Sequence, residues 1–195
     1  MSKPPFRQVR AVYDEDTITV YQAYSPAIAS AAVAAGGFVP PFRRERMTWI
    51  KPSFLWMMYR CGWATKPGQE RVLAIRMLRS GFEEALSMAS LSHFDREVYA
   101  DHEAWQQRKA AIPVRVQWDP ERDVRLEPLP WRSIQIGLGG LAAERYVDDW
   151  VAGIEDITAM VDALRERAPD DRRSSVPIEL PYPLPPEVAA VVGAT

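Results

Sequence analysis

Four small groups of polar side chains stand where this chain could do chemistry. Tyr21, Gln22 and Tyr24 lie at the end of TITVYQAY (17–24), with Tyr21 alternating to the face opposite Gln22 and Tyr24. Ser53, Trp56 and Arg60 recur at helical spacing within PSFLWMMYRC (52–61). Gln117 and Asp119 end a third stretch, and Arg132, Ser133 and Gln135 share a fourth. Arginine can clamp phosphate through paired N–H donors, an indole such as Trp49 or Trp56 offers a stacking surface, and Asp119 could act as a base or partner a cation. Each residue also has a plain structural use: a tyrosine covers a core, Ser53 caps its helix, Arg132 pairs with a surface carboxylate. Their joint placement at strand ends and on one apolar helix points to a shared cleft.

The element that must position them is RMTWIKPSFLWMMYRCGW (46–63). Pro52 suits a helix start, because the first turn has no internal partner for the missing N–H. Phe54, Met57, Met58 and Cys61 fall on one side, with Leu55, Trp56 and Tyr59 close around it, so this helix is expected to be buried nearly all round. Arg60, set in that run, must find an anion, carbonyls or water.

Before this helix, RQVRAVYD (7–14) and TITVYQAY read as strands of a hairpin turned at Asp14-Glu15-Asp16. Ser25-Pro26 then opens an Ala-rich helix that Gly36-Gly37 stops. After it, ERVLAIRML (70–78) alternates as a strand, and Ser80 to Glu83 forms a capping box for the next helix. Residues 94–110 read as an amphipathic helix with Phe94, Val98 and Trp105 inward. Residues 112–118 and 132–138 read as strands, the second being the last. A 3–4 apolar spacing from Val147 to Leu164 predicts one long helix over 142–167. These elements predict a single compact α+β domain over 1–168, with a split, mostly antiparallel sheet and surrounding helices. Residues 169–195 form a Pro-rich tail, either packed as a strap or disordered.

Charge is balanced overall, at -2, but not locally. Between Arg43 and Arg79 nine basic residues face two acidic ones, a patch better matched to a compact phosphate-bearing ligand than to a long duplex. Cys61 is alone and the histidines, His93 and His102, are too far apart for a helical metal motif, so no metal is expected. No apolar window approaches the length of a membrane span, and the N-terminus carries no apolar leader, so a cytoplasmic protein with no membrane partner is expected. Gly-x-Ser-x-Gly and the phosphate-loop pattern are absent, and IGLGGLAAE (136–144) only loosely matches a dinucleotide fingerprint.

The segments VRAVYDEDTITVYQAYSPAIA (9–29), RMTWIKPSFLWMMYRCGWATKPGQERVLAI (46–75), PVRVQWDPERD (113–123) and RSIQIGL (132–138) resemble a bacterial and fungal family of unknown function, DUF4291. At the level of fold, the order of strand, short Ala-rich helix and glycine over 17–37 also resembles the opening of ADP-ribosyltransferases. That likeness implies NAD, as substrate, in a cleft of a split sheet. It puts Tyr21, Gln22 or Tyr24 in the first catalytic position, Tyr59 or Ser53 in the second and Gln135 in the third. Arg10 or Arg60 would hold the diphosphate, while Trp49, Lys51, Trp56 and Arg132 complete the candidate NAD-binding set. The first strand has no histidine and the last no glutamate, unlike those enzymes.

The expectation is therefore an ADP-ribosyltransferase-like enzyme that binds NAD and transfers ADP-ribose to an acceptor, a nucleic acid or a protein. Two alternatives use the same residues differently. One is a non-catalytic module for nucleotides or single-stranded nucleic acid, stacking bases on tryptophans. The other is a partner-binding protein whose tail docks elsewhere and can be removed without loss of the fold.

Overall fold

The computed structural model describes residues 4–195. In chain order the elements are β1 (Arg10–Ala11), β2 (Thr17–Tyr24), α1 (Pro26–Ala35), β3 (Thr48–Ile50), α2 (Phe54–Cys61) and β4 (Arg71–Leu78). There follow α3 (Arg79–Ser87), β5 (Ser90–Leu91), α4 (His102–Ala111), β6 (Val114–Arg122) and β7 (Pro128–Leu138). After α5 (Gly140–Arg145) comes a π-helical turn (Tyr146–Trp150), then β8 (Val151–Asp156), α6 (Thr158–Arg165), α7 (Pro169–Arg172), β9 (Leu180–Pro181) and α8 (Pro186–Val192).

The strands form two main sheets, β2-β4-β8 and β3-β7-β6-β5, in which only the β5–β6 pair is parallel. They touch at one backbone bridge between Tyr21 and Lys51, where Tyr21 N–H donates to the Lys51 carbonyl at 2.7 Å. Past that bridge, β2 and β3 are joined by side chains: Gln22 Nε2 donates to Thr48 Oγ1 at 2.7 Å and to the Trp49 carbonyl at 3.3 Å. The chain is thus one α+β domain with mixed, mostly antiparallel sheets, and the seam between the sheets is the place where a hollow can open.

Helix α2 closes one side of the seam. Ser53 Oγ accepts from Trp56 N–H at 3.1 Å as an N-cap, Gly62 at φ 61° ends the helix, and Phe54, Trp56, Met57, Met58 and Cys61 are buried. Burial is not complete all round, because Tyr59 and Arg60 face outward. The second, smaller core cluster gathers α2 with Tyr21, Val72, Val161 and Leu164.

Several expectations give way to the structure. Residues 7–14 do not build a long hairpin arm: β1 is two residues long and pairs with β9, leaving only a Tyr13–Ile18 bridge to β2. The region read as a helix over 94–110 is helical only from His102, where Asp101 caps it by accepting from Ala104 N–H. Ser80 lies inside α3 rather than capping it. The long helix over 142–167 breaks into α5, the π turn, β8 and α6, so the last strand of the main sheets is β8, not 132–138. Strand VAGIED fits the sheet because Gly153 pairs with Arg76, whose guanidinium lies 2.9 Å from where a Cβ would stand. A 3–4 apolar spacing carried across this break because α5, the π turn and α6 each bury apolar residues, while Val151 and Ile154 of β8 pack half-buried against the main core.

The tail over 169–195 is a packed strap. Tyr182, Val188 and Val192 are buried in the main core, and Trp118 Nε1 donates to the Val192 carbonyl at 2.8 Å. Removing it would uncover this core, so a tail dispensable to the fold does not stand. No helix among the described residues is long and apolar enough to cross a membrane.

Candidate functional site

A cavity of about 600 Å³ opens at the seam, within the size range of small-molecule sites. Its walls come from the end of β2 (Gln22, Ala23, Tyr24), the 41–49 segment, Lys51, the flank of α2 (Trp56, Met57, Arg60), the 68–69 turn, and Gln117 and Gln135 on β6 and β7. The flat face of Trp49 is possible because its strand partner is Gly137, where a Cβ would lie 2.9 Å from the indole.

Four cations line this space, Arg43, Arg46, Lys51 and Arg60, and no carboxylate does among the described residues. Arg43, Arg46 and Arg60 are exposed, and among the described residues none of them forms an ion pair and the Arg60 guanidinium reaches only Gln69 Oε1, at 3.4 Å. Lys51 is 6% exposed. Its Nζ donates to the Trp49 carbonyl at 3.1 Å and lies 5.7 Å from the centre of the Trp56 ring. Burial, followed by the nearby charge of Arg60, pushes its ammonium pKa down to about 7, against weaker opposing pulls from Cys61 and Asp119. Trp56 Nε1 is also buried with no acceptor. In this wall, therefore, Lys51 has a carbonyl but no counter-ion, and Trp56 Nε1 has no acceptor among the described residues.

The opposite character holds at the β2 end. Tyr146 donates to Gln22 Oε1 at 2.8 Å, Gln22 Nε2 donates to Tyr24 Oη at 2.8 Å, and Tyr24 shares a 3.1 Å bond with Thr48. Burial raises the pKa of both phenols, Tyr24 and Tyr146, so this network stays neutral and fixed. On the facing strands Gln135 Nε2 donates to Gln117 Oε1 at 2.6 Å and to Asp119 Oδ2 at 2.5 Å. Gln135 Oε1 takes no hydrogen bond from the described residues, which leaves it as an acceptor for a ligand hydroxyl.

The structure therefore brings together Gln22, Tyr24, Trp49, Lys51, Trp56, Arg60 and Gln135. It does not bring the others. Tyr21 is 2% exposed and turned into the smaller core against Phe54, as its alternation on β2 requires. Ser53 is used up as the α2 cap and as a donor to Glu121. Tyr59 faces away and carries the Arg122 guanidinium 3.6 Å over its ring. Arg10 bonds Gln8 and the Glu179 carbonyl, and Arg132 lies over Phe6, 5.3 Å from the ring centre. Reading the sequence placed Arg43 and Arg46 only in the basic patch, not among the site residues, and missed Thr48 in the wall and Tyr146 behind Gln22. The density of arginines over 43–46 was the available signal for two of them; nothing local marks Tyr146, which reaches Gln22 across 124 residues.

Fold and site together define a small α+β domain with a cationic, aromatic cavity at the seam of its sheets. The chain belongs to the family described as Domain of unknown function (DUF4291), whose model matches residues 8–183. No curated protein matches it.

Proposed function

We propose that the protein binds NAD in this cavity and transfers its ADP-ribose to an acceptor, as an ADP-ribosyltransferase-like enzyme. One observation carries the reading: four cations and several aromatic rings line one cavity without a carboxylate, the complement of a ligand that is both aromatic and anionic. Breaking the bond to nicotinamide leaves oxocarbenium character on the ribose, so catalysis here is positioning and charge stabilisation. Tyr24 and Gln22, each already hydrogen-bonded within the protein, supply a rigid polar floor. Gln135 Oε1, held in place through its own Nε2, would accept from a ribose hydroxyl.

The test is calorimetry with NAD and ADP-ribose together with a nicotinamide-release assay. Saturable binding of both and release of nicotinamide are expected, with release reduced at least about tenfold in Gln135→Ala. No binding of either near millimolar concentration removes the reading.

A non-catalytic module for nucleotides or single-stranded nucleic acid is the second reading. It is favoured by the same lack of a lining carboxylate, since an acceptor nucleophile has no base beside it. It predicts steeply salt-dependent binding to single strands and no release of nicotinamide.

A further inference from the structure

We infer that Lys51 is held without a counter-ion so that the ligand supplies one, with Lys51 inside the cavity and Arg60 at its rim taking the two phosphoryl groups of a diphosphate. This deepens the NAD reading, but it concerns only the diphosphate and stands or falls separately from any transfer reaction.

The argument begins with the bridge to Tyr21. That backbone bond fixes the Lys51 main chain at the seam, and the Nζ bond to the Trp49 carbonyl turns the side chain back along the cavity wall. The groups around the amine are few. From α2 come the Arg60 guanidinium and the Cys61 thiol, from β6 the Asp119 carboxylate, and from β3 the Trp49 carbonyl. Asp119 already accepts from Gln135 and forms no ion pair with Lys51. A buried ammonium with one carbonyl for company is costly, and a guanidinium beside it adds to the cost. Trp56, whose buried Nε1 has no acceptor among the described residues, belongs to the same wall. An anion entering the cavity offsets the charges of both Lys51 and Arg60. Two cations at different depths of one cavity, one enclosed and one exposed, match two linked phosphoryl groups better than a single one.

A consequence separates this from ordinary charge attraction. Free of ligand, the Lys51 amine is largely neutral above pH 7, where its own pKa lies. A phosphate beside it favours the charged form, so binding takes up a proton. The affinity should then fall as pH rises above about 7, by up to roughly tenfold per pH unit.

Calorimetry of the full chain at pH 8 tests this with ADP-ribose, ADP-glucose and AMP, each in two buffers of contrasting ionisation enthalpy. The two diphosphates are expected to bind with heats that differ between buffers, reporting close to one proton taken up, and AMP to bind more weakly. Lys51→Arg should bind with no difference between buffers, and Lys51→Met should bind the diphosphates at least about tenfold more weakly. Buffer-independent heats in the unsubstituted protein overturn the inference, as does undiminished affinity in Lys51→Met or no binding of any of the three. If ADP-glucose binds with proton uptake while NAD is never split, the inference stands and the transferase reading falls. Turnover of NAD with buffer-independent heats has the reverse meaning.

Discussion

Helix α2 meets two regions that bury ionisable groups in opposite ways. Along its flank, Lys51 and Arg60 face a hollow with no carboxylate. At its N-terminal end, two carboxylates are closed in by the protein's own donors. Glu179 Oε1 accepts from Phe54 N–H at 2.6 Å, and Glu121 Oε1 accepts from Ser53 Oγ at 2.9 Å and from its neighbour Arg122 N–H at 2.8 Å. Burial raises the pKa of both acids, and for Glu179 the charge of Glu121 raises it further, against the pull of Arg10 and the backbone donor. The acidic pair is thus tied into the structure: each carboxyl accepts from the protein's own donors at the start of α2. The lysine, though buried, has a single carbonyl for a partner and lines a cavity. Titratable groups withdrawn from water can be tied into the architecture in one place and left beside open space in another, and the number of partners tells them apart.

The sharpest way to break this contrast is to remove each charge and measure stability without ligand. Lys51→Met should raise stability at pH 7 by about 2–4 kcal/mol, because the folded state there holds a lysine whose pKa is depressed. The sign follows from proton counts. Between about 7 and its unfolded value the unfolded chain binds more protons at this residue, so stability rises with pH across that window and the advantage of Lys51→Met shrinks as pH approaches 10. Urea unfolding at pH 7 and pH 10 measures both; a Lys51→Met protein less stable than its parent at pH 7 would make Lys51 a structural residue.

Next in size, Glu179→Ala should cost about 1–3 kcal/mol, since Phe54 N–H would lose its acceptor, whereas Glu179→Gln keeps one and should cost less. Here the pH sign is the reverse. Both acids have raised pKa values in the folded state, so their contribution is complete under acid conditions and is lost as pH rises through those values. Glu179→Gln should flatten that decline in a series of urea midpoints from pH 5 upward, and an unchanged slope would dissolve the pair as a coupled unit. Smallest of all, Arg43→Ala and Arg46→Ala should move stability by less than about 0.5 kcal/mol while weakening ADP-ribose binding and reducing its dependence on salt. Equal affinity in both variants would confine the cationic site to Lys51 and Arg60.

Much of this was legible where the signal is local. Ser25-Pro26 and Gly36 bound α1, Ser53 caps α2 although Pro52 lies one residue before that cap rather than in the first turn, and the alternation over 17–24 and 70–78 became β2 and β4 almost residue for residue. Tryptophans and cations clustered over 46–63 marked one wall of the cavity. Failures came where distant contacts decide. Strand β8 lies inside an apolar pattern that fits a helix equally well, and only its pairing with β4 settles it. Ser53 and Tyr59 share the helix with Trp56 and Arg60, yet Glu121 takes one and Arg122 covers the other. Arg10 and Arg132 are basic like the site residues, but one is bound to the strap and the other to Phe6. Residue type gave the chemistry in each case; which groups remain free was decided by partners far along the chain.

The Glu179 contact has a temporal side. Helix α2 is synthesised 125 residues before the carboxylate that meets its first turn. A growing chain can form the apolar contacts of that helix early, but its N-terminal end waits on a segment still to be translated. Completion of this cavity wall is therefore a late event for the nascent protein, reached when the strap closes.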